Sequence, residues 1–294
     1  VLTPELLDRW IEVGAVSGIM RTQANGSRVP DDGRRRAQIF DPDVLPIWRR
    51  YAKLRTQLYP YIAAAEAVYA RTGLPLMRAL ALTDPGDAIA AGRDDEFMFG
   101  PDLLAAPVLD PGRRSRRAYM PAGRWIDLWR SARMARSGRL VLGRARVLHG
   151  GRWTTVPASL SQLPLFVRAG AVLPLLWPDV DTLTRLGRAR GLVHAADREG
   201  RRALLAFPHG RSSGALGPGE RYSSRERRGA WDLTISARRA RRYRLQAALP
   251  GRRPCRLAVA GRSLPRRAWR YDRRTRVLLA TLLIRTGRLT VRPC

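Results

Sequence analysis

The chain has 294 residues, room for one large domain or two to three small ones at ~150 residues per domain. With 45% of them hydrophobic, a wholly disordered chain is excluded. Its 55 basic against 24 acidic residues leave a formal net charge of +31, so a polyanion partner has to be weighed. Lys53 is the only lysine, and the excess of arginine reads as a compositional bias on solvated faces rather than a specific nucleic-acid site. No run of ~18 apolar residues occurs and the first residues lack a signal-peptide layout, so no membrane partner is expected.

In chain order, Thr3-Pro4-Glu5 supplies a capping hydroxyl, a first-turn proline and an early acid, which predicts a helix ending near Gly14. Residues 15–22 are short and apolar enough for a buried strand. Residues 23–43 form a polar loop with turn signals at Asn25-Gly26, Pro30 and Asp32-Gly33, of a length often tied to function. Ile47, Tyr51, Leu54, Leu58, Ile62, Ala65 and Tyr69 recur at spacings of three and four, predicting a second helix kinked at Pro60 and closed by Gly73. Residues 74–82 then read as a buried strand, which makes the opening 83 residues a strand-helix-strand unit of a parallel sheet.

Past Asp84 the pattern is all-β, with short strands expected at 103–109, 117–120, 124–129 and 164–173 between Gly and Pro turns. After Trp177, alternation in Trp231-Leu233-Ile235 and Tyr243-Leu245-Ala247 and the apolar run 277–284 predict a second small β domain. Cys255 and Cys294 are either a disulfide tying the C-terminus back or two free thiols, since sequence alone does not bring their Cα atoms together.

Local motifs give no reaction. Phosphate-loop, dinucleotide and zinc-ligand spacings are missing. His149, His194 and His209 lie far apart without a nucleophile motif beside them. Asp94-Asp95-Glu96 is either a solvated turn before a strand or a carboxylate pair of the kind glycoside hydrolysis uses. Asn25-Gly26-Ser27 satisfies the glycosylation sequon, a triplet that also arises by chance.

Ordered motifs carry more. Glu5-Leu6-Leu7-Asp8-Arg9-Trp10 followed by Met20-Arg21-Thr22-Gln23, Leu54-Arg55-Thr56-Gln57-Leu58-Tyr59-Pro60-Tyr61, and Gly73-Leu74-Pro75-Leu76-Met77-Arg78 resemble the closing helices and strands of the catalytic barrel in glycoside hydrolase family 31, the α-glucosidase and α-xylosidase family. Phe99-Gly100-Pro101-Asp102, Tyr119-Met120-Pro121-Ala122-Gly123-Arg124-Trp125 and Pro164-Leu165-Phe166-Val167-Arg168-Ala169-Gly170 resemble the β-sandwich after that barrel. The resemblance covers roughly residues 2–176.

It implies an α/β plus all-β fold: residues 1–83 as the end of a (β/α)8 TIM barrel, 84–176 as a proximal antiparallel β-sandwich, and 177–294 as a distal antiparallel β-sandwich. It implies a retaining α-glycoside hydrolase acting on α-linked oligosaccharides or glycosides, without a cofactor or metal. Both catalytic aspartates of the family belong to strands upstream of these motifs, so no Asp here is assigned as nucleophile or acid, and the chain alone is expected to be inactive. Gln23 stands where the family often has a histidine that bonds a substrate hydroxyl, and an amide can still donate and accept. Gln23, with Arg21 on the same strand face, is the candidate substrate-binding pair. Residues 1–83 without their barrel neighbours are expected to be poorly ordered. Two other readings compete: a stand-alone β module binding glycans through exposed Trp125, Trp129 and Trp153, and an arginine-rich polyanion binder centred on 177–294. Oligomeric state and compartment are left open.

Overall fold

The computed structural model describes residues 2–21, 36–187, 190–251 and 253–294. Gln23 and the Asn25 sequon lie outside the described residues.

Helix α1, Pro4–Ala15, starts as its sequence dictates: the Thr3 hydroxyl accepts the Leu6 N–H at 3.2 Å and Pro4 needs no donor in the first turn. The strand expected over 15–22 is corrected: Ala15 still belongs to the helix, and the described residues to Arg21 are turn and unpaired chain. A parallel strand exists only beside a partner that completes its ladder, and among the described residues nothing pairs with this segment.

Helix α2, Leu45–Thr72, runs 28 residues and ends on Gly73, whose φ of 75° closes it in the left-handed conformation while its N–H bonds Tyr69 O. Pro60 sits inside it. One turn before Pro60, the carbonyl of Gln57 accepts the Leu176 N–H at 2.8 Å, so the helix backbone bonds to the β region near the expected kink.

The strand expected over 74–82 shrinks to Met77–Ala79 and is followed at once by a helical turn, Leu80–Thr83. It pairs antiparallel with Phe97–Phe99, Met77 opposite Phe99, so the parallel strand-helix-strand unit is also corrected. These two strands begin a six-stranded sheet that continues through Leu103–Ala105, Leu165–Arg168, Arg124–Asp127 and Val147–His149, antiparallel throughout. On one face it packs against the ribbon of Ser115–Met120 with Arg152–Pro157, around Met98, Leu104, Met120, Trp125 and Phe166. Its other face meets α1 and α2 through Ile11, Tyr51, Leu54, Phe99 and Val167.

A nine-stranded sheet follows. Val172–Leu175, Arg201–Ala206, Ala230–Ala248, Val277–Pro293, Pro254–Val259 and Arg262–Ser263 form its main path, with the hairpin Arg211–Gly217 and Glu220–Arg227 at one side and Trp269–Asp272 paired to Val277–Pro293. The alternation read from sequence holds: Trp231, Leu233, Ile235, Tyr243, Leu245 and Ala247 all point into one core. Arg201–Ala206 runs parallel to Ala230–Ala248, however, so the expectation of a purely antiparallel distal unit is corrected to a mixed sheet. The residues between the two strands, including the hairpin, supply the long crossover that parallel pairing needs. Cys255 and Cys294 are disulfide-bonded with Cα atoms 4.9 Å apart, joining the adjacent strands Pro254–Val259 and Val277–Pro293.

Candidate functional site

Helix α1 presents three stripes with different partners. Leu7, Ile11 and Ala15 enter the core. Glu5 and Arg9 fasten the helix to the β region, and Glu12 accepts from Arg9 and from the Tyr51 hydroxyl of α2. The Glu5 carboxylate accepts the Gly112 N–H at 3.0 Å and pairs with Arg114 at 2.7 Å, which with that bond lowers its pKa. Arg9 donates to Glu12 at 3.0 Å and to the carbonyls of Ser159, Ala158 and Arg113 at 3.0, 2.8 and 3.1 Å. Burial pushes the Glu12 carboxyl up to about 8 against the pull of Arg9. The third stripe, Leu6 and Trp10, is 49% and 71% exposed, one turn apart on the same face. Ile19 just beyond the helix is 80% exposed. None of these apolar side chains belongs to a hydrophobic core cluster among the described residues.

The segment leaving α1 toward Arg21 is held by Arg55. One guanidinium reaches Gly14 O at 3.3 Å, Ala15 O at 3.4 Å, Ser17 O at 2.6 Å and Gly18 O at 2.9 Å. Such carbonyls at a helix C-terminus lack intrahelical donors and carry the negative end of the macrodipole, so a planar cation suits them. Its burial lowers the Arg55 pKa. Arg21 itself is exposed and lies outside any strand, and Gln23 is outside the described residues. Arg55→Ala is expected to cost about 1–3 kcal/mol through the donors lost to the Ala15, Ser17 and Gly18 carbonyls and to open the chain after Gly14 to proteolysis. Limited proteolysis with mapped cleavage sites checks this, and Arg55→Lys should rescue only part of it.

Other sequence candidates are placed elsewhere. Asp94 is exposed, but Glu96 is buried and both its oxygens face the Tyr119 N–H, at 2.9 and 3.2 Å; Asp95 pairs with Arg93 and Arg116. The triplet therefore anchors the strand Ser115–Met120 rather than forming a solvated turn. Burial pushes the Glu96 carboxyl up to about 7. The folded state thus binds this proton between the ordinary carboxylate range and about pH 7, and stability falls as pH rises through that window, by at most about 1.4 kcal/mol per pH unit. Glu96→Gln should flatten the decline in Tm between pH 5 and 7; a profile parallel to the parent's would contradict the assignment.

His194 is buried, with Nδ1 2.8 Å from Thr184 O, far from α1 in sequence. Trp125 is fully buried with its indole N–H on Pro121 O at 2.8 Å, which corrects the expectation of an exposed stacking ring. Trp153 carries the guanidinium carbons of Arg93 and Arg117 at 4.9 and 4.7 Å from its ring centroid, and Trp129 has that of Arg50 at 4.6 Å. Among the described residues no group of three His, Cys, Asp or Glu is arranged to hold a metal, and no helix is long and apolar enough to cross a membrane.

Comparison with known proteins agrees with this frame. The model of the glycosyl hydrolases family 31 TIM-barrel domain matches residues 2–65, and that of the glycosyl hydrolase family 31 C-terminal domain matches residues 73–173. An isomaltosyltransferase of Sporosarcina globispora is 32% identical over 179 residues, 59% of this chain and 15% of that one. Alpha-glucosidase 2 of Bacillus thermoamyloliquefaciens is 32% identical over 204 residues, 69% of this chain and 23% of its own. The chain thus spans less than a quarter of the length of these two relatives. A solved cycloalternan-forming enzyme from Listeria monocytogenes, in complex with a pentasaccharide substrate, superposes over 98% of this chain and 28% of that one with a TM-score of 0.75 and 22% identity, a likeness of fold. A helix bolted to a β-rich unit through Glu5 and Arg9, a second helix holding the outgoing segment through Arg55, and adjacent matches to both domains of one family lead to one conclusion: the chain belongs to glycoside hydrolase family 31, of which it carries the end of the barrel domain and the C-terminal domain.

Proposed function

We propose that the chain is the C-terminal share of a retaining α-glycoside hydrolase acting on α-linked glucosides or xylosides. The observation that carries this reading is the Leu6 and Trp10 stripe, apolar and exposed on a helix matched to the family's barrel domain, with Ile19 exposed just beyond that helix. Contiguous exposed apolar surface marks an interaction site, and here it fits the preceding strands and helices of a (β/α)8 barrel. In this reading residues 1–83 complete the barrel, 84–176 and 177–294 buttress it, and the chain alone is inactive because nucleophile and acid stand on upstream strands. The two carboxyl groups of a retaining enzyme lie ~5–5.5 Å apart, one attacking the anomeric carbon and the other protonating the departing oxygen.

Gln23 lines the sugar subsite in this proposal, its amide donating to and accepting from a substrate hydroxyl, with Arg21 beside it. The relatives' printed names, alpha-glucosidase and alpha-xylosidase among them, support the substrate class. The test is hydrolysis of 4-nitrophenyl α-glucoside and α-xyloside by the extended protein, with product stereochemistry followed by NMR. Activity with retention is expected, and Gln23→Ala should raise KM about tenfold or more. Unchanged kinetics would remove Gln23 from the subsite; an extended protein inert toward every α-glycoside would overturn the reading.

A further inference from the structure

A cleft of about 480 Å³ lies between the two β regions, remote in sequence from the barrel segment. Its floor is the strands Ala230–Ala248 and Val277–Pro293, one wall is the segment 266–270, and the other is the strand Leu140–Leu142. The wall is fixed in place by Gln246, whose side chain accepts the Leu142 N–H at 3.0 Å and donates to Leu140 O at 2.8 Å. The cleft is therefore part of the packed frame rather than a gap between loose parts.

Its lining is strongly cationic. Arg139, Arg244, Arg266, Arg267 and Arg270 all face it, and among the described residues none of them forms an ion pair. Asp272 is the one acid in the lining, and its carboxylate is occupied by the N–H groups of Arg274 and Thr275 at 2.8 and 3.2 Å. Arg244 is half-buried, and its pKa is lowered first by that burial and then by the charge of Arg139. Arg139, Arg266, Arg267 and Arg270 are exposed, and like charges gathered at one cleft raise the local positive potential and concentrate anions.

We propose that this cleft binds a small molecule bearing at least two oxyanion groups, phosphate, sulfate or carboxylate, spaced so that guanidinium groups from both walls engage it together. Planar guanidinium forks match such oxyanions bidentately, and the volume falls within the ~300–1,000 Å³ of small-ligand sites. Recognition of single-stranded bases by stacking is disfavoured, because it needs a free aromatic face. The aromatic ring in the cleft, Trp269, is 7% exposed and covered by Arg266, whose guanidinium carbon lies 4.4 Å from the ring centroid.

The test is calorimetric titration of the 294-residue chain with inorganic tripolyphosphate and, separately, with a polysulfated disaccharide, both at one fixed ionic strength. Saturable one-to-one binding of at least one is expected, and which binds tighter separates a phosphorylated from a sulfated source. The triple variant Arg139→Gln, Arg267→Gln, Arg270→Gln alters side chains without partners and should weaken Kd about a hundredfold. Arg211→Gln, Arg225→Gln, Arg227→Gln removes the same charge from the distant hairpin and should weaken it less than about threefold. Equal losses in the two triples would reduce the effect to net charge and overturn the proposal, as would the lack of saturable binding of both probes.

Discussion

Gly100→Ala is expected to destabilise the chain by about 2–5 kcal/mol. Gly100 has φ of 62°, a conformation that costs a residue with a Cβ about 1–2 kcal/mol. A Cβ there would also lie 2.6 Å from the Tyr61 hydroxyl oxygen and 2.7 Å from the ring carbon that bears it. Tyr61 cannot step aside cheaply, because it is buried and its hydroxyl donates to Phe99 O at 2.7 Å while accepting the Asp102 N–H at 2.9 Å. Overpacking of such a site adds about 1–3 kcal/mol. Gly73→Ala is the internal control: φ there is 75°, yet nothing stands within 4 Å of the added carbon, so only the conformational part should be lost. Urea unfolding of both variants checks the difference, and equal losses would contradict the packing argument.

Arg9→Met is expected to cost about 3–5 kcal/mol, the range for removing one partner of a buried pair. The variant strands the Ala158 carbonyl, takes one donor each from the Ser159 and Arg113 carbonyls, and leaves Glu12, 1% exposed, without its counter-charge. The loss should grow with pH. In the parent, the Glu12 carboxyl sits near 8 with Arg9 holding it down, so the stability tied to its protonated form is lost as pH rises through about 8. Without Arg9 the folded-state value climbs further, and the deficit of the variant keeps widening above that point. Denaturant unfolding at pH 6 and pH 9 should show the larger deficit at pH 9; a deficit independent of pH would contradict the role given to Glu12. Arg9→Lys keeps the charge but not the fork that serves four acceptors at once, and should recover less than half.

Sequence reading reached the helices and the alternating strands because their signals are local. The spacing of Ile47, Tyr51, Leu54 and Leu58 and the stop at Gly73 specify α2 directly. It overread residues 74–82, since a short apolar run does not distinguish a strand from a strand that turns into a helix at Leu80. It overread 15–22 because a parallel strand is defined by neighbours rather than by its own residues. Trp125 is expected from sequence to be exposed, but in the strand Arg124–Asp127 it points into the core between the six-stranded sheet and the ribbon of Ser115–Met120 with Arg152–Pro157. Arg9 and Arg55 stood inside the quoted motifs without roles, since the carbonyls they serve are supplied by the fold: Arg9 reaches residues roughly 100 to 150 positions away. A buried arginine among apolar helix positions is the signal that could have exposed them, because such a group needs several acceptors.

The measurement that bears most directly on membership in a complete α-glycoside hydrolase is the coding sequence upstream of Val1 in the same frame. The account predicts an open frame encoding earlier barrel strands, with a Trp-x-Asp-Met-like nucleophile motif and a Gly-Asp-Asn-like acid motif. A stop codon or an unrelated domain directly before Val1 would contradict it, and would leave the exposed Leu6, Trp10 and Ile19 side chains without the partner proposed for them.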